Sequence, residues 1–252
     1  DWTETQKLLA VDAVTNDFFG RAVDIDGTTA VVGADSDAEW GASSGKVYVF
    51  DYNGSSWDLS QSLIPDDPAP STNFGADISL DGDWLAISAH VLQGGFVYVF
   101  KNTNGNWQQH QKLTSSDNSN GDFFGRSVDL RGNRMIVGAT FDDDSGSGSG
   151  SAYVFDLESD TWTETEKLIP DDGAANDNFG QSVSIDGDRA LIGAWSDDTT
   201  IDDTGSAYVF ELTDGLWSQT DKLLPSDPLD RGFFGFSVAL ENDWAMVGAH
   251  GD

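Results

Sequence analysis

Aspartates gather in two stretches where a hard cation would find oxygen ligands. "FDDDSGSGSG" carries Asp142, Asp143 and Asp144, and "SDDTTIDDTG" carries Asp197, Asp198, Asp202 and Asp203. Asp37 stands at the corresponding place in an earlier stretch of similar sequence. Several carboxylates on a flexible Gly- and Ser-rich backbone can wrap a large divalent ion, so these eight residues are the candidate metal ligands, with Ca2+ as the ion. Mg2+ demands a stricter octahedral geometry and fits less well. A solvated acidic loop is the competing explanation, and the spacing matches no standard calcium loop. Trp40 and Trp195 lie in or beside these loops without recurring at one repeat position. An off-pattern aromatic in an exposed loop is a candidate ligand-binding residue, with local packing as the alternative.

Little else in the chain could do chemistry. There is no cysteine, which removes thiol catalysis, thiolate metal sites and disulfides. Of three histidines, His90 and His250 share the position after a recurring alanine but belong to non-consecutive units. No nucleophile elbow, zinc-protease helix or phosphate loop is present. No catalytic residue is assigned, and the chain is expected not to be an enzyme. With 44 acids against 12 Lys and Arg, the net charge is -32. Such a surface repels nucleic acid and anionic lipid, so neither is an expected partner. No apolar run is long enough for membrane insertion through a helix. Asp1 has the character of a mature or excised end, not of a translation start.

The elements that must position these residues repeat. Phe-Gly recurs at Phe19, Phe74, Phe124, Phe179 and Phe234, every 50–55 residues. Gly-Ala follows at Gly33, Gly138, Gly193 and Gly248, with Ser88-Ala89 in the second unit. "YVF" ends at Phe50, Phe100, Phe155 and Phe210, and one tryptophan marks each unit at Trp2, Trp57, Trp107, Trp162 and Trp217. Each unit divides into four short β-branched and aromatic segments, here A to D, separated by Gly, Asn and Asp. The "DG" pairs at Asp26, Asp81 and Asp186 suit tight A–B hairpins with positive φ. No segment has sustained helical periodicity. About 4.6 units of four strands define an all-β protein, a β-propeller. Residues 1–252 form one propeller domain, with units starting near 19, 74, 124, 179 and 234. The fifth blade is split between 1–10 (strand D) and 233–252 (strands A and B) and lacks strand C. That favours a slice of a longer propeller over a defective five-bladed ring.

The order Phe-Gly, short strand, Gly-Ala, then "YVF" resembles the FG-GAP repeat of integrin α-subunits and bacterial surface proteins. The resemblance implies a propeller, often seven-bladed, secreted or displayed on the cell surface, used for adhesion or recognition and often calcium-bound. In integrin-type repeats calcium occupies an A–B loop of three spaced carboxylates. Here those loops are "DIDGTT", "SLDGDW", "DLRGNR", "SIDGDR" and "ALENDW", none of which carries that set. The usual calcium site is not transferred.

Alternating strand direction sends the D–A and B–C loops to one face. Those loops hold half of the 44 acids and a single base, Arg231. Asp12, Asp67, Asp117, Asp172 and Asp227 share one D–A position in all five units, which marks them as structural acceptors of an Asx-type turn. Asp37, Asp142, Asp197 and Asp252 share a B–C position that is Leu92 in the second unit. The second Phe of each aromatic pair and the recurring Trp are expected to pack between blades, the Phe-Gly glycine permitting close approach. Together these features point to an extracellular recognition or adhesion propeller whose acidic face meets a protein or glycan partner. The alternatives are a structural building block that self-assembles through unpaired terminal strands, and a polysaccharide-acting enzyme.

Overall fold

The computed structural model describes residues 3–90, 94–198 and 202–251. Trp2, Leu92 and Asp252, which enter the repeat comparison, lie outside the described residues. Eighteen strands build five antiparallel sheets, one per unit. Blade one is β1 (Val23–Asp26), β2 (Thr29–Ala34), β3 (Lys46–Tyr52) and β4 (Trp57–Leu63). Blade two is β5 (Ile78–Asp81), β6 (Trp84–Ala89), β7 (Phe96–Thr103) and β8 (Asn106–Leu113). Blade three is β9 (Phe124–Arg131), β10 (Arg134–Ala139), β11 (Ser151–Glu158) and β12 (Thr161–Leu168). Blade four is β13 (Phe179–Asp186), β14 (Arg189–Ala194), β15 (Ser206–Thr213) and β16 (Leu216–Leu223). Blade five has two strands, β17 (Phe234–Glu241) and β18 (Trp244–Ala249). The protein is an all-β propeller whose sheets do not close into a ring. The A–B turns have the expected geometry, with Gly27, Gly82 and Gly187 at φ of +55°, +56° and +60°.

The fifth unit departs from expectation in one respect. Residues 3–10 form no strand. With no strand C beside it, the segment has no ladder to join. It is pinned to blade one instead, where Gln6 Nε2 donates to the carbonyl of Trp57 and Gln6 Oε1 accepts from its N–H, both at 2.8 Å. The same amide clamp recurs between Gln61 and Trp107 and between Gln111 and Trp162.

The core lies between sheets. Phe74, Leu85 and Tyr98 of blade two pack on Val31, Val47 and Val49 of blade one, and each later junction repeats the arrangement. Phe74, Phe124 and Phe179 are fully buried, as is Trp162, and Trp107 nearly so. The two glycine motifs meet across the junction. A Cβ on Gly33 would stand 2.1 Å from the carbonyl oxygen of Gly75, and one on Gly138 would stand 2.0 Å from that of Gly180. The Gly-Ala glycine of one blade and the Phe-Gly glycine of the next are therefore two halves of one backbone contact. Nearer the axis, side chains on one blade accept N–H groups of the next. Asp24 takes the N–H of Leu80, Asp77 that of Val128, Asp129 that of Ile185 and Ser184 that of Leu240. These innermost strands line an axial channel of about 710 Å3.

Candidate functional site

The D–A and B–C loops do emerge together, and a side-chain network joins them in blades one, three and four. Asp117, from the loop entering blade three, accepts the hydroxyl of Tyr153 at 2.8 Å and the ammonium of Lys167 at 2.6 Å. Asp142, from the B–C loop, lies 2.7 Å from the same hydroxyl and 3.1 Å from the same ammonium. Asp144 is a third carboxylate on Lys167. Blade four repeats this with Asp172, Asp197, Tyr208 and Lys222. Blade one uses Asp12, Tyr48 and Lys46, with Asp37 and Glu39 also on the lysine. Blade two has Asp67, Tyr98 and Lys112 alone.

The electrostatics follow from these contacts. Lys46 and Tyr48 hold the Asp12 carboxyl below its ordinary range. Burial works against the charge on Lys167, yet Asp117, Asp144 and Asp142 keep its pKa above the ordinary lysine value. Burial and the neighbouring carboxylates together push the phenol of Tyr153 up, so it stays a donor.

In the four complete blades the recurring Asp is held by a tyrosine and a lysine. The turn N–H groups that the expected Asx-type role would give it go instead to Asp17, Asp122 and Asp177, which accept those of Val14, Ser119 and Ala174. The face also carries more positive charge than its loops imply. Lys46, Lys112, Lys167 and Lys222 reach it from strand ends, so Arg231 is not its sole base.

Of the eight candidate ligands, the structure brings Asp142 and Asp144 together, and Asp117 joins them. Their nearest oxygens lie within 4.8 Å of one another, the one such group among the described residues. The donor chemistry suits calcium, but the ammonium of Lys167 already sits among the three. Asp37 and Asp197 occupy the equivalent place beside Lys46 and Lys222. Asp143 and Asp198 instead accept loop N–H groups, from Gly148 and Asp203, each at 2.7 Å. Asp202 receives the N–H of Arg231 on its backbone carbonyl, and the Asp203 carboxylate lies 4.0 Å from the Arg231 guanidinium. Trp40 is half exposed on the blade-one loop. Trp195 packs against Phe233 and Phe236 with ring centroids 5.0 and 5.9 Å away. No contact joins the two tryptophans among the described residues.

The model of the FG-GAP repeat family matches residues 2–50, 57–100, 107–155, 162–210 and 217–252. The chain belongs to that family. Among solved structures it is similar to a chain from Bacteroides uniformis ATCC 8492, provisionally described as a 6-phosphogluconolactonase. The TM-score is 0.54 at 12% identity, over 81% of this chain and 57% of that one. At that identity the likeness concerns the fold alone. No curated protein matches.

Proposed function

We propose that the chain is an extracellular recognition or adhesion module that meets a glycan or protein partner with its acidic face. The observation behind this reading is a pair of hollows where D–A and B–C loops meet. In blade one a hollow of about 410 Å3 is lined by Asp12, Val14, Asp37, Ala38, Glu39 and Lys46. In blade four one of about 510 Å3 is lined in part by Asp172, Asp177, Asp197 and Lys222. Carboxylates held by an ammonium are fixed acceptors, and fixed acceptors suit neighbouring sugar hydroxyls or a basic peptide segment. Binding to an immobilised glycan panel tests the reading. W40A, D37N and D197N should weaken the signal, and binding that survives all three would move recognition off this face.

Calcium enters at the Asp117, Asp142 and Asp144 set, and only if it displaces Lys167. A second reading, the self-assembling building block, draws support from the ends of the arc. Val23 and Ile25 of blade one are 66% and 59% exposed, whereas their counterparts Ile78 and Leu80 are each 6% exposed. Met246 of blade five is 70% exposed, whereas its counterpart Leu191 is fully covered. Light scattering against concentration, with I25K and M246K as controls, separates polymers from a monomeric binder.

A further inference from the structure

Two positions in each blade ignore the repeat although they sit between its most regular residues. One follows Phe-Gly and is Arg21, Ala76, Arg126, Gln181 and Phe236 in turn. The other follows the recurring alanine and is Asp35, His90, Thr140, Trp195 and His250. They are neighbours in space. In blade three the pairing register between β9 and β10 slips between Gly138 and Ala139, leaving Gly125 and Arg126 as a bulge beside the end of β10. Blades four and five bulge at the same place. Such a bulge re-aims a side chain out of the sheet.

The groups gathered there share one chemical property. His90 Nδ1, Thr140 Oγ1 and Trp195 Nε1 are buried polar atoms without a hydrogen-bond partner, at the same position of three consecutive blades. Thr140 is 1% exposed. Unpaired buried polar atoms are costly, and three of the seven found among the described residues fall at this one repeat position. Beside them Arg126 is partly buried and makes no ion pair among the described residues. Its Nε donates to Gln181 Oε1 at 3.1 Å. Burial and the nearby charge of Arg21 both weaken its hold on its proton. Asp77, the acid whose charge reaches it, is engaged by backbone N–H groups. Arg21, half exposed, has Asp35 at 3.6 Å as its one ion-pair partner among the described residues. Burial and both arginines push His90 down to about 4, so its ring is neutral at neutral pH, with one nitrogen free to carry a proton toward a ligand. In a protein of net charge -32, a partly buried arginine with no carboxylate in direct contact among the described residues is a conspicuous omission.

Arg126, Arg21 and His90 lie within electrostatic reach of one another, and Thr140 and Trp195 hold the repeat position of His90 in the next two blades. Two guanidinium groups, a hydroxyl, an indole N–H and an imidazole N–H are the donor types an oxyanion takes. Trp195, Phe233 and Phe236 add an aromatic wall alongside. We propose that this cluster, at the acidic-face end of the innermost strands, binds a small carboxylated ligand with a ring to stack, the chemistry of a uronate sugar. The guanidinium groups of Arg126 and Arg21 would take the carboxylate, Thr140 and Trp195 would donate to it, and the ring would lie on the aromatic wall. The proposal is independent of the loop hollows, since none of their lining residues takes part.

Titration calorimetry at constant ionic strength tests it, with sodium glucuronate, glucose and sodium sulfate as probes and Trp195 fluorescence as a second readout. Glucuronate should bind and glucose should not. R126Q should weaken glucuronate binding about tenfold or more, the worth of a charge-assisted pair, and T140V about threefold. Glucuronate should raise the melting temperature of the wild type and not of R126Q, provided both melt cooperatively in its absence. Sulfate binding as tightly as glucuronate would overturn the stacked ring and leave the oxyanion contact standing. No binding of either anion, or equal affinity in R126Q, would overturn the site.

Discussion

Blades two and three answer the same problem with different numbers of carboxylates. In blade two, Lys112 meets Asp67 alone and lies over the ring of Phe96, 3.8 Å from its centroid. In blade three, Lys167 meets Asp117, Asp142 and Asp144. The Asp–Tyr–Lys contact is common to both, so it belongs to the architecture. The added B–C carboxylates are local to the longer loop, and they turn a structural lysine into the counterion of a crowded acidic site.

Removing that counterion should separate the two blades most sharply. K167M leaves three carboxylates within 4.8 Å, one of them on buried Asp142, and should cost about 3 kcal/mol. K112M strips one exposed ion pair and should cost about 1 kcal/mol. Urea melts of both variants check the difference, and equal losses would break the comparison. Next in size is the response to calcium. The wild type should gain the same melting temperature from calcium as from sodium chloride of matched ionic strength. K167M should gain more from calcium, because the ammonium no longer fills the site. A calcium-specific rise in the wild type would mean that the ion displaces Lys167.

The pH profile sharpens the contrast further. Desolvation pushes Asp77 and Asp177 up to about 6, from an ordinary 3.8. Between those values the folded state binds more protons than the unfolded one, so stability falls as pH rises through the window. Asp12, Asp67, Asp117 and Asp172 are instead held below 3.8, and their contribution is lost as pH falls through their folded values. The melting temperature should therefore peak at about pH 4 and decline toward pH 6, and D177N should flatten that descent on the alkaline side. The smallest effect belongs to the phenols. Tyr153 stands against two carboxylates and Tyr98 against one, so Y153F should cost about 1 kcal/mol more than Y98F in the same melts.

The repeat made most of this fold legible. Phe-Gly, Gly-Ala and "YVF" announced the strands, and the glycines announced close approach. That Gly33 faces Gly75 of the next unit was not legible, because the partner is set by how blades stack and not by spacing along the chain. The same holds for the lysines. Asp117 stands five residues after Lys112 in sequence, yet it binds Lys167, fifty residues on. Counting charges by loop missed that lysine because it sits on a strand. The axial donors left a trace, the two irregular positions in a regular frame, but only burial revealed that Thr140 and His90 lack partners.

The side chains that accept backbone N–H groups across the innermost strands point the same way around the arc. Asp24 accepts from blade two, Asp77 from blade three and Asp129 from blade four. Each of the first four units thus carries acceptors for its successor, and units two to five carry the backbone donors for their predecessors. A tandem duplication of one repeat in the gene would arrive with both halves of a working joint. A duplication of any of units two to four would then change the number of blades while keeping the hydrogen bonds of the seam.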